Sequence, residues 1–127
     1  MEDKPTPLDQ DQLAKANLGL AERLFYEGVH LVYDDDGDTL LITIGEGAPA
    51  ISTPVLDGLY LRIHPETLEV VGCTVVAFSS DFLANNKLLR KLFPNALKIL
   101  AEHDGVIEWR GLQAQKMLPV FAAAMSR

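Results

Sequence analysis

The sequence predicts an α+β fold: an antiparallel β-meander of four to five strands, preceded by one helix and followed by two to three helices packed on it. Three observations carry this reading. Apolar residues recur at helical spacing before residue 28, strand-like runs separated by turn residues fill 29–78, and helical spacing returns over 80–126. Strands and helices do not alternate, which excludes a parallel sheet of strand–helix–strand units. At 127 residues the chain has the size of one domain. The expected organisation is a single domain, 1–127, with a flexible N-terminus at 1–6, the meander at 29–78 and the helical part at 80–126.

Thr6-Pro7-Leu8-Asp9 has the form of a helix start, with a capping hydroxyl, a proline whose missing N–H costs nothing there, and a carboxylate near the positive helix end. Ala14, Leu18, Ala21, Leu24 and Phe25 then recur at helical spacing until Gly28 offers a stop. One helix over 7–27 is expected. Val29-His30-Leu31-Val32-Tyr33 and Thr39-Leu40-Leu41-Ile42-Thr43-Ile44, joined by an acidic turn, read as a hairpin. Residues 51–56 form a candidate third strand, placed at an edge because Pro54 donates nothing to a ladder. Asp57-Gly58 is a strong hairpin signal ahead of Leu59-Tyr60-Leu61-Arg62-Ile63. The run 70–78 is apolar on both faces and reads as a central strand covered on both sides.

Ser79-Ser80-Asp81 starts the next helical stretch, with Phe82, Leu88, Leu89, Leu92 and Phe93 as its apolar stripe and Pro94 as a kink or break. Val106-Ile107-Glu108-Trp109 is short for a strand and fits an edge, and helical spacing resumes over 112–125.

Composition narrows the function classes. Eleven Lys and Arg against eighteen Asp and Glu give a formal charge of −7, which opposes non-specific binding to nucleic acid or to an anionic membrane. The charge is unevenly divided. Residues 1–80 carry 14 acidic and 4 basic side chains, a formal −10, whereas 81–127 carry 4 acidic and 7 basic, a formal +3. No apolar run reaches the length of a membrane span, no signal-peptide core is present at the N-terminus, and the lone Cys73 lies in an apolar run. A cytoplasmic protein is expected.

The segment Tyr33-Asp34-Asp35-Asp36-Gly37-Asp38-Thr39-Leu40-Leu41-Ile42 resembles the opening of a small prokaryotic family, domain of unknown function 2283. In that family a Tyr-Asp pair, alternating acidic residues and a Leu-aromatic-Ile strand recur. Asp57-Gly58-Leu59-Tyr60-Leu61-Arg62-Ile63 through Val70-Val71-Gly72 is similar to its closing hairpin. The resemblance covers about residues 29–78. Leu41 replaces the usual aromatic, Thr74 replaces the usual Glu, and the loop 45–53 is particular to this chain. The resemblance implies a small β-meander without established catalysis, whose members are suspected of pairing with a neighbouring small protein as antitoxins do.

Candidate sites are few. Asp34, Asp36 and Asp38 with His30 could hold a divalent cation that activates water, giving a metal-assisted hydrolase or nuclease. Against it, the acidic run lacks the glycine and the closing Glu of a calcium loop, and a solvated hairpin turn accounts for the same residues. His30, His64 and His103 have no metal-ligand spacing, and no serine lies in a nucleophile elbow. Lys87, Arg90, Lys91 and Lys98 fall along one helix side and suit an acidic partner, or simply face solvent. Trp109, Met117, Leu118, Phe121 and Met125 give the C-terminus an apolar surface for association, or one that completes the monomer core. A ligand pocket between sheet and helices near Tyr60 and Trp109 is a further expectation. The leading reading is a non-enzymatic protein-interaction or oligomerisation domain without a cofactor, forming a homodimer or binding a small basic protein.

Overall fold

The computed structural model describes residues 10–56, 58–78, 102 and 105–125. The expected helical stretch over 79–100, its basic residues Lys87, Arg90, Lys91 and Lys98, and the N-terminal segment 1–6 lie outside the described residues. The architecture is α+β, as its pattern predicts. Two helices, α1 (Gln10–Ala16) and α2 (Leu20–Glu27), precede strands β1 (Val29–Asp34), β2 (Thr39–Ile44), β3 (Ile51–Leu56), β4 (Leu59–Ile63) and β5 (Val70–Val75). A sixth strand, β6 (Val106–Trp109), is followed by α3 (Leu112–Gln115) and α4 (Leu118–Met125). Among the described residues no helix is long and apolar enough to cross a membrane.

The single N-terminal helix expected over 7–27 is broken at 17–19, and Asn17 is the reason. Its amide nitrogen donates to the carbonyls of Leu13 (2.8 Å) and Leu68 (3.0 Å), and its oxygen accepts the Val70 N–H (2.7 Å). The side chain ties the end of α1 to the start of β5, and loss of its oxygen would leave the buried Val70 N–H unpaired at a cost of about 1–3 kcal/mol. Arg23 on α2 reinforces the joint by donating to the Val70 carbonyl at 2.9 Å.

All six strands are antiparallel, in the order β3-β4-β5-β2-β1-β6. The sheet therefore has one strand more than the four to five expected, and it is two meandering blocks, β1-β2 and β3-β4-β5, set side by side. Periodicity within a segment carries no information about which blocks meet, and four residues of β6 are too few to show a period. Pro54 does sit on an edge strand, beside a register shift. Gly72 allows the close approach of β5 to β2, since a Cβ there would overlap the Ile42 carbonyl oxygen.

Alternation assigns each strand a core side. One core-side row runs Thr53, Leu61, Cys73, Ile42, Leu31 and Ile107 from β3 to β6, and all but Thr53 belong to the buried core. Leu13, Leu20, Leu24, Ala114, Val120 and Ala124 from the helices complete it. Each fully buried aliphatic side chain stabilises the fold by about 1.5–3 kcal/mol. Of the two readings of the apolar C-terminal residues, association or completion of the core, their burial fits the second. Met117 and Phe121 have no exposed surface, and Trp109, Leu118 and Met125 pack half-buried against the core. A helix needs a broad apolar side to cover a six-stranded sheet, and these residues supply it. Pro119 falls in the first turn of α4, where its missing N–H is tolerated.

Candidate functional site: the open face of the sheet

The described helices gather on one face of the sheet, and the alternate residues form the other face, which the described helices leave open. Strand registers align these residues in rows. An apolar row runs Pro54, Tyr60, Thr74, Leu41, Val32 and Val106 across all six strands. Tyr60, Val32 and Val106 are 37%, 41% and 52% exposed, so the row offers apolar area to a partner. The neighbouring row is polar: Ser52, Arg62, Gly72, Thr43, His30 and Glu108.

Two groups in the polar row are incompletely satisfied. Arg62 is half-buried and has no hydrogen-bond or ion-pair partner among the described residues. A guanidinium carries five donors and acts best against a carboxylate. Glu108 accepts from His30 Nε2 (2.8 Å) and from Arg110 Nη2 (3.0 Å), both on Oε2. Its Oε1 has no such contact among the described residues.

His30 is not available to a metal. Its Nδ1 lies 2.8 Å from the Gly45 carbonyl oxygen while Nε2 faces Glu108 at 2.8 Å, so both ring nitrogens are already occupied by protein contacts. Gly28 shapes this corner, with φ +79° and a position where a Cβ would lie 2.7 Å from the Trp109 carbonyl oxygen. The expected set Asp34, Asp36, Asp38 and His30 is thus divided. The turn gathers Asp34, Asp35 and Asp36, all exposed, with carboxylate oxygens within 4.8 Å of one another. Asp38 instead accepts the Tyr33 hydroxyl at 2.6 Å, and His30 lies four residues back along β1, roughly 13 Å away. Asp34 Oδ1 accepts the Asp36 N–H (3.1 Å) and Thr39 Oγ1 donates to the Gly37 carbonyl (3.0 Å), which are the bonds of a turn.

The pocket expected near Tyr60 and Trp109 does not form between them, because Tyr60 lies in the open-face row while Trp109 packs on the core side. Cys73 is fully buried, and removal from water pushes its thiol from 9.0 to about 12 against a smaller opposing pull from Arg62. It is a neutral core side chain, not a nucleophile. Arg62 and Glu108 were missed as site residues. The signal for Arg62 was the alternation Leu59-Tyr60-Leu61-Arg62-Ile63, in which every second residue leaves the core.

No family model, curated protein or solved structure matches this chain.

Proposed function

We propose that the protein is a non-enzymatic protein-association domain that works through the open face of its sheet, in the cytoplasm. The observation that carries this reading is the exposed apolar row crossing all six strands beside a polar row with unused donors and acceptors. Partner surfaces are distinguished by aromatic and aliphatic groups next to unsatisfied polar ones. The buried, neutral Cys73, the His30 ring held between Gly45 and Glu108, and the turn bonds of the acidic loop support a non-enzymatic reading.

The resemblance to domain of unknown function 2283 belongs to the same proposal. Its residues fall in β1, β2, β4 and β5, which are contiguous in the sheet as β4-β5-β2-β1. An antitoxin-like pairing with a small basic protein would follow from it, helped by the acidic charge of residues 1–80.

The test is light scattering of the purified protein, with recovery of bound proteins from the source cell, for the wild type and for Val32→Asp with Tyr60→Asp. Association, with itself or with another protein, should disappear in the double variant while thermal unfolding is retained. A wild-type monomer that retains nothing, or association indifferent to both changes, would overturn the reading.

A further inference from the structure

We propose that the occupant of the open face is a second copy of this chain, stacked sheet on sheet about a twofold axis that runs parallel to the strands over β2. Arg62 of each copy then pairs with the partner's Glu108. The inference rests on the association reading above and specifies its partner.

A twofold interface must be complementary to itself, and the rows decide which axis satisfies this. An axis along the strands keeps each row over the same row of the other copy and reverses strand order. Counted outward from β2, β5 and β1 lie one strand away on opposite sides, and β4 and β6 lie two away. Placed over β2, the axis lays Tyr60 on the partner's Val106, Thr74 on the partner's Val32 and Leu41 on its own counterpart. In the polar row it lays Arg62 on the partner's Glu108, and the side-chain-free Gly72 opposite the partner's His30. A guanidinium without an acceptor and a carboxylate oxygen without a donor are brought together twice. An in-plane axis across the strands keeps strand order and reverses the rows, setting Arg62 over the partner's Tyr60 and Glu108 over the partner's Val106. That arrangement desolvates both Glu108 carboxylates against valine and gives neither guanidinium an acceptor, which is costly. Only β3, the edge strand carrying Pro54, overhangs the favoured overlap.

Size sets the strength. Five strands about 4.8 Å apart and two rows about 6.8 Å apart make a contact of roughly 24 by 14 Å, smaller than that of stable specific complexes. Each copy also carries −7, which opposes association. A reversible, concentration-dependent dimer is expected.

Sedimentation velocity over a wide concentration range tests this on the wild type, Arg62→Glu, Glu108→Arg, the double reversal, and Leu41→Glu, which sets two like charges together on the axis. The wild type should move from monomer to dimer with concentration. Each charge reversal should weaken dimerisation about tenfold or more, the double reversal should recover most of the loss, and Leu41→Glu should leave a monomer. Circular dichroism on each variant establishes that it is folded, and Leu41→Glu keeps the test valid should Glu108→Arg disturb the His30 corner. A dimer that the double reversal fails to rescue overturns the inference. So does a wild-type monomer that captures another protein through Val32 and Tyr60, an outcome that leaves the association reading standing. A monomer that binds nothing removes both.

Discussion

Ile42 and Leu41 are neighbours in β2 and face opposite ways. Ile42 is 2% exposed, held between Leu31 and Cys73 under the helices. Leu41 sits between Val32 and Thr74 in the row the described helices leave uncovered. Both rows are largely apolar, so composition does not separate them. The difference is cover: the four described helices lie on one face, whereas the other pairs an apolar row with a polar row whose Arg62 guanidinium and Glu108 Oε1 have no partner among the described residues. A face built for the interior of a monomer satisfies its polar groups or excludes them. One built for a partner leaves some waiting.

Substitutions on the two faces should break this comparison in opposite ways. The largest effect is expected from Ile42→Ala, which empties a packed position and should cost about 2–5 kcal/mol in urea unfolding, at every protein concentration. Asn17→Ala should follow at about 1–3 kcal/mol, because the Val70 N–H is left buried without its acceptor; Asn17→Asp should lose at least as much, since it keeps that acceptor but turns a buried carboxylate oxygen on the Leu13 and Leu68 carbonyls.

Alkaline pH probes the core face through Cys73. Burial raises its thiol to about 12 from 9.0, so the folded state holds a proton that the unfolded state releases. The resulting stability is complete below pH 9 and declines by about 1.4 kcal/mol per unit as pH rises from 9 toward 12. Chemical unfolding of the wild type and Cys73→Ala across that window should show a steeper decline in the wild type; equal slopes would refute the assignment.

The smallest effects belong outside the core. Leu41→Ala should cost about 1 kcal/mol or less in the monomer, and its main effect should be on the association equilibrium. Asp35→Asn, which relieves repulsion among three exposed carboxylates, should stay within about 0.5 kcal/mol of the wild type.

Much of this fold was legible in the residues themselves. Period-two patterns located β1, β2 and β4, and Pro54 marked an edge, because both depend on chemistry within a few positions. The helix break at Asn17 was not legible, since the side chain answers backbone groups 51 and 53 residues away. The junction of β5 with β2 and the pairing of β6 with β1 escaped for the same reason, although 106–109 does form the edge strand its length suggested. The candidate site was the least legible part. Arg62 and Glu108 are ordinary alternating residues until the registers place them in one row, and the apolar C-terminal residues looked like an interface only while the sheet they cover was unseen.

The position of β6 also affects synthesis. Its partner strand β1 is complete by Asp34, yet the residues that close its outer edge are 106–109. At roughly 5–20 residues per second, a nascent chain carries that edge open for several seconds, whereas a hairpin forms in about 1–10 μs. A five-stranded sheet with a bare edge can therefore wait on the ribosome for its last strand. Neighbouring nascent chains on one message would meet there edge to edge, a hazard that the Asp34–Asp36 charges at the end of β1 help to oppose.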